Sequence, residues 1–70
     1  MHEIKLIYRN EPRSLFLKES VTYCATVELF LHGIHTAQTS ASRIAFESDR
    51  DRVLGLLYLS GSTDFTPVCV

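Results

Sequence analysis

Residues 20–35 read SVTYCATVELFLHGIH and form the longest segment with helical periodicity in the chain. At about 100° per residue, one side of such a helix carries a set of apolar residues. These residues are Tyr23, Val27, Phe30, Leu31 and Ile34. Ser20 is suited to the N-cap, because its hydroxyl can accept a hydrogen bond from a first-turn amide. The pattern predicts a central helix from about Val21 to His35, with its apolar side in the core.

The chain before this helix has the alternation of a β-hairpin. Apolar and polar residues alternate along Glu3–Arg9 and again along Arg13–Lys18, as in two half-buried strands. Asn10–Pro12 between them is a turn cluster, because proline fixes its own φ and has no N–H for a strand ladder. We expect an antiparallel pair that covers the central helix. Its core-facing residues would be Ile4, Leu6, Leu15 and Leu17.

The segments after the helix are shorter. Thr36–Ser42 is small and polar, which predicts a loop. Arg43–Glu47 is β-favouring and bounded by serines, which predicts a strand. Asp64–Val70 is predicted to be extended, and its Pro67 predicts either an edge strand or an irregular one, because proline cannot donate to a neighbouring strand.

Between these two strands, Asp49–Ser60 is predicted to be a second helix. Ser48 would be its N-cap, with carboxylates following in the first turn. The alternative is a strand over Arg52–Leu59, since Gly55 costs a helix about 1 kcal/mol. The chain is therefore predicted to be α+β with an antiparallel sheet. Its element order would be ββαβαβ, or ββαβββ if the second helix is a strand.

Size and composition favour one compact domain over residues 1–70. A domain of this size buries only about 60% of the surface of its unfolded chain, so a dimer or a tight partner would add needed stability. Seven basic and eight acidic residues give a net charge of −1, which argues against binding nucleic acid by overall charge. Cys24 and Cys69 are too few for a disulfide scaffold and are expected to be reduced and mostly buried. With no apolar run of membrane-spanning length and no leader pattern, we expect a soluble, cytoplasmic protein.

One edge of the central helix carries residue types that can bind metal. Glu28, His32 and His35 lie within one sector, beside Cys24. The spacing is not that of the HExxH zinc-protease motif, because the glutamate precedes both histidines. We favour a polar helix face without metal or any other cofactor, and keep metal binding as an alternative. Neither a nucleophile elbow nor a phosphate-binding loop is present, so the chain is predicted not to be an enzyme.

The outward face of the predicted hairpin is the candidate partner-binding site. Period-two register turns Phe16 away from the core and places cations around it. The site residues would be Lys5, Ile7, Arg9, Arg13, Phe16 and Lys18. An apolar anchor with a cationic rim is typical of a protein interface, although an aromatic on a basic sheet can also stack bases. A homodimer would be another way to cover Phe16.

The sequence therefore predicts a small interaction protein that binds and inhibits or adapts a macromolecular partner, most simply a protein. Small inhibitors of host enzymes or defence complexes, encoded by phages or bacteria, fit this physical description. The alternative is a small nucleic-acid-binding regulator that uses the basic hairpin. The two differ in salt dependence, because phosphate contacts weaken steeply with salt.

Overall fold

The computed structural model describes residues 2–10 and 15–70, in which two helices pack on a four-stranded antiparallel sheet. The elements are β1 (His2–Tyr8), α1 (Leu15–Leu31), β2 (Thr36–Ser40), β3 (Arg43–Phe46), α2 (Asp49–Leu59) and β4 (Phe65–Cys69). The sheet order is β2-β3-β1-β4. The predicted α+β class is confirmed. The order is βαββαβ, that of the split β-α-β motif, rather than ββαβαβ or ββαβββ.

The predicted hairpin is wrong, because the chain is helical from Leu15 onward. Leu, Lys, Glu and Ala are good helix formers, and alternation over a few residues is too short to outweigh them. Ser20 therefore lies inside α1 and is not its N-cap. β1 pairs instead with β3 and β4. Residues 11–14, which include Pro12 and Arg13, lie outside the described residues.

The side of α1 that faces the core differs from the predicted one. Thr22, Ala25 and Leu29 are buried against the sheet. The residues predicted to be buried are exposed instead, namely Tyr23, Val27, Phe30 and Leu31. Apolar residues occupy most of the circumference of this helix, so periodicity alone did not select a face. Small residues at the contact let α1 approach the sheet closely.

A glycine ends α1 and turns the chain toward β2. Gly33 has φ 81°, a left-handed conformation that favours glycine. The Gly33 N–H donates to the Phe30 carbonyl at 2.9 Å, and the Ile34 N–H donates to the Leu29 carbonyl at 3.0 Å. This bonding pattern is the Schellman motif, and the two residues whose apolar contact often accompanies it, Ile34 and Leu29, are both in the core. Ile34 is thus buried as predicted, although it lies beyond the helix.

The predicted loop at Thr36–Ser42 is instead the edge strand β2 followed by a tight turn. Thr36–Ser40 pairs with β3, with an irregularity between Gln38 and Ser40. β2 is polar because it is an edge strand with four exposed residues. Its sequence therefore lacks the apolar alternation that predicts a strand.

The second half of the chain follows the prediction closely. Strand β3, helix α2 and strand β4 lie within two residues of the predicted bounds. The Ser48 hydroxyl caps α2 by accepting a hydrogen bond from the Asp51 N–H at 3.1 Å. The predicted second helix is therefore confirmed, and the strand alternative for this segment is wrong.

The core lies between the helices and one face of the sheet. Its buried apolar residues are Ile4, Leu6, Ala25, Leu29, Ile34, Ile44, Phe46, Leu59 and Phe65. Ile4 and Leu6 face the core as predicted, whereas Leu17 is 51% exposed and does not. The side chain of Leu15 lies outside the described part of the structure.

A part-buried hydrogen-bond chain, centred on the fully buried Thr22, fixes α1 to the sheet. The Thr22 hydroxyl donates to the Ala41 carbonyl at 2.5 Å and lies 2.6 Å from the Tyr8 hydroxyl. Because the threonine proton is used at Ala41, the Tyr8 proton is shared between Thr22 and the Lys18 carbonyl, which is 3.0 Å away. These hydrogen bonds link β1, α1 and the β2–β3 turn. They also satisfy the hydroxyl of Thr22, which explains why a polar residue can be buried at the centre of the packed helix face.

Replacing Tyr8 tests this chain. Burial raises the pKa of the Tyr8 phenol, so the folded state holds this proton more tightly than the unfolded state does. The resulting stability is fully present below about pH 10, the ordinary tyrosine pKa, and is lost as pH rises through the higher folded value. Tyr8→Phe should cost about 1 kcal/mol at pH 7 and flatten the alkaline fall in urea-unfolding free energy. Tyr58→Phe, at an exposed tyrosine, should retain that fall.

Candidate partner-binding surfaces

The sheet face away from the helices is uncovered in the described part of the protein. We call it the open face, and strand register assigns its residues. They are Glu3, Lys5, Ile7, Ala37, Arg43, Ala45, Thr66 and Val68. Ile7 is 45% exposed and Val68 is 39% exposed. The open face therefore presents both charge and apolar surface to solvent.

Two cations lie directly opposite each other on the open face. Lys5 of β1 pairs with Arg43 of β3. The Leu6 N–H donates to the Ser42 carbonyl at 2.8 Å, so Lys5, one residue earlier, turns its backbone groups toward β4. The Lys5–Arg43 pair is therefore the closely spaced kind, with Cα atoms about 4.5 Å apart. Within the described residues, neither side chain forms an ion pair.

The predicted site is divided by the fold. Lys5 and Ile7 lie together on the open face, and Arg9 is exposed just beyond the end of β1. The Lys18 ammonium instead lies on the helix side of the sheet, 5.6 Å from the centre of the Tyr8 ring. Phe16 belongs to α1, so the register argument that made it an outward anchor fails.

The Phe16 side chain and all of Arg13 lie outside the described residues. Arg43 and Val68, which complete the open face, were absent from the predicted site. Their signal is the alternation of their own strands, but only the pairing of β3 and β4 with β1 places them beside Lys5.

The histidines of the suggested metal site point to different neighbours. The His32 ring stacks on Tyr58 of α2, with centroids 4.3 Å apart. The His35 ring meets the edge of Phe30, with centroids 5.4 Å apart. Within the described residues, no group of three or more metal-ligand side chains is placed to hold an ion. Cys24 and Cys69 are exposed, contrary to the prediction, and both are free thiols.

A second surface runs along the β2 edge, where residues of α1 and β2 line the same cavities. We call its helix part the α1 flank, formed by Tyr23, Val27 and Phe30, all exposed. A cavity of about 510 Å³ lies between Tyr23 and Gln38, and a neighbouring one of about 380 Å³ is lined by all three flank residues and by Thr36. Tyr23 lines both cavities, so together they form one groove along the edge.

Comparison with known proteins adds nothing to this geometry, because no family model, curated protein or solved structure matches the chain. Neither described helix has the length and hydropathy required to span a bilayer.

Proposed function

We propose that this chain is a non-enzymatic interaction protein that binds a macromolecular partner, a protein, through the open face and so blocks or adapts that partner. The observation that carries the proposal is the Lys5–Arg43 pair flanked by exposed Ile7 and Val68. Like charges directly opposite each other destabilise a sheet, so a partner carboxylate placed between them would relieve repulsion as well as bind. The partner surface is therefore acidic with apolar contacts.

A protein partner is favoured over nucleic acid by the composition of the open face. None of its assigned residues is aromatic, so it offers no ring on which a base can stack. The net charge of −1 also gives little general attraction for phosphate. Exposed apolar residues beside cations match the anatomy of a protein interface.

The setting we propose is a reducing one, such as the cytoplasm. Two exposed free thiols suit such a compartment. Phage or bacterial inhibitors of host enzymes or defence complexes belong to this size class, and this origin is part of the proposal.

Charge reversal on the open face tests the proposal. In affinity capture from bacterial lysate, the double variant Lys5→Glu Arg43→Glu should lose a specifically retained protein, because its two carboxylates would repel an acidic partner. Arg50→Glu, an exposed reversal on α2, should retain it. The single variant Lys5→Glu should also raise the unfolding free energy by about 0.2–1 kcal/mol, because it would face Arg43 as an opposite charge.

If the double variant retains the captured protein as well as Arg50→Glu does, the open face is excluded as the binding site. Retention of nucleic acid with a steep loss of affinity in salt would favour the regulator alternative instead. With the captured protein purified, the dissociation constant should rise by about tenfold or more for Ile7→Ala if this residue is a central contact.

A further inference from the structure

The two edges of the sheet differ in their ability to pair with another strand. At β4, the Arg9 N–H donates to the Asp64 carbonyl at 3.0 Å, and the Val70 N–H donates to the Glu3 carbonyl at 3.3 Å. By alternation, the backbone of Pro67 faces outward, where it has no N–H to offer. The β4 edge is thus blocked at its middle, a usual protection of edge strands.

The β2 edge has no proline block, and its irregularity, between Gln38 and Ser40, follows its regularly paired part. The β1–β3 ladder turns the backbone groups of Ala45 toward β2. Ala37 pairs with Ala45 and turns its own N–H and C=O into the sheet, which leaves those of Thr36 and Gln38 pointing outward. Neither proline nor a charged residue lies in this strand. An exposed edge of this kind is a template for strand pairing.

The α1 flank lies directly beside this edge. Gln38 Nε2 donates to the Glu19 carbonyl at 3.2 Å, and Thr36 shares a cavity with Phe30. Helix and strand therefore run antiparallel, with Tyr23 beside the centre of β2. A strand added at β2 must also cover the flank, where Tyr23 is 61% and Phe30 is 59% exposed.

We propose that the occupant of this edge is a second copy of the chain, joined by a two-fold axis at Ala37. Thr36 of each copy pairs with Gln38 of the other, and the α1 flanks of the two copies pack together across the axis. The result is one continuous sheet through both copies. This interface shares Ala37 with the open face but uses none of the residues that carry the proposed function, so each proposal can fail without the other.

Complementary hydrogen-bonding groups support a second copy in this arrangement, because a glutamate carboxylate can accept from a histidine ring N–H. Glu19 and His35 lie at opposite ends of the groove. Because the axis makes the two flanks antiparallel, each Glu19 approaches His35 of the second copy, and the two Glu19 carboxylates stay apart. An isologous contact must be self-complementary in this way.

The required area also favours using both elements. Tyr23 and Phe30 together leave on the order of 200–250 Å² exposed, whereas a standard interface takes about 800 Å² per partner. The exposed area of these two side chains is far below that figure, so the interface must include the β2 edge as well, and the two-fold arrangement buries both elements. The dimer would also bury additional apolar surface, which a domain of this size needs because a small domain buries a smaller fraction of its surface on its own than a large one does.

Cross-linking at the axis gives a direct test. Ala37 would face Ala37 of the second copy as a non-hydrogen-bonded pair, with Cα atoms about 4.5 Å apart, a separation that suits a disulfide. In a Cys24→Ser Cys69→Ser background, Ala37→Cys should oxidise to a covalent dimer. Thr66→Cys, the equivalent exposed position on β4, should stay monomeric. Equal cross-linking of both variants, or of neither, would overturn the proposal.

Light scattering with size-exclusion chromatography supplies the second test. The wild type should be a dimer at micromolar concentration, and Phe30→Lys should raise its dissociation constant by about tenfold or more. Leu57→Lys, at an exposed apolar position on α2, should leave it unchanged. A monomeric wild type would overturn the proposal, as would a β2 edge that takes up an extended peptide of another protein while the chain stays monomeric.

Discussion

Leu29→Ala should lower the free energy of unfolding by about 2–5 kcal/mol. Leu29 is 0% exposed and belongs to the core cluster, where Ile34 of the Schellman motif is also buried. Removing its side chain leaves a cavity that rigid neighbours cannot fill. In a domain of this size the loss can exceed half of the total stability.

The matched control is Leu31→Ala, two residues along the same helix. Leu31 is 79% exposed, so its truncation should change stability by less than about 0.5 kcal/mol in the monomer. Val27→Ala should also cost little when unfolding is measured at a protein concentration at which the chain is monomeric. Val27 is 40% exposed in the single chain and lies on the flank that the proposed dimer buries. The apolar periodicity assigned Val27 and Leu31 to the core, so urea unfolding of all three variants distinguishes the two helix faces. A larger loss for Leu31→Ala than for Leu29→Ala would contradict the packing described above.

Gly55→Val should lower the free energy of unfolding by about 3 kcal/mol. A Cβ at Gly55 would lie 2.6 Å from both Cε2 and Cζ of Phe46, whose ring is buried in the core. Replacing a glycine inside a helix ordinarily stabilises the helix by up to about 1 kcal/mol, because glycine has a low helix propensity. Here the steric overlap with the packed Phe46 ring outweighs that gain.

Two controls separate overlap from backbone effects. Gly61→Val should change stability by less than about 0.5 kcal/mol, because a Cβ there meets no atom within 4 Å. In the Phe46→Leu background the Gly55→Val cost should shrink by about 1 kcal/mol or more, since leucine lacks the two ring carbons that would overlap. Purely additive costs in this cycle would show that the Phe46 ring does not constrain Gly55.

The candidate site was only partly readable from the sequence. Alternation along β1 placed Lys5 and Ile7 on the outward side, and the structure keeps them there. Arg43 joins them through the pairing of β3 with β1, a contact between residues 38 positions apart that periodicity does not specify. Phe16 was assigned to the same face by a strand register that does not exist, because this segment continues α1.

The segments that the sequence determined by itself are those with strong local signals. β1 has alternation, β3 has serine boundaries, and α2 has an N-cap at Ser48 with carboxylates after it. Each signal acts between residues close in the chain, so it needs no knowledge of the rest of the fold. The edge position of β4 likewise agrees with Pro67, which can offer no ladder donor.

Only the tertiary structure decided which side of α1 is buried and that β2 is a strand. α1 is apolar on most sides, and the buried side is the one where Thr22 finds hydrogen-bond partners and Ala25 permits close approach. β2 is polar and gains its conformation from the ladder of β3. Both outcomes depend on partners distant in sequence, because burial and strand pairing are properties of the assembled layers rather than of either segment alone.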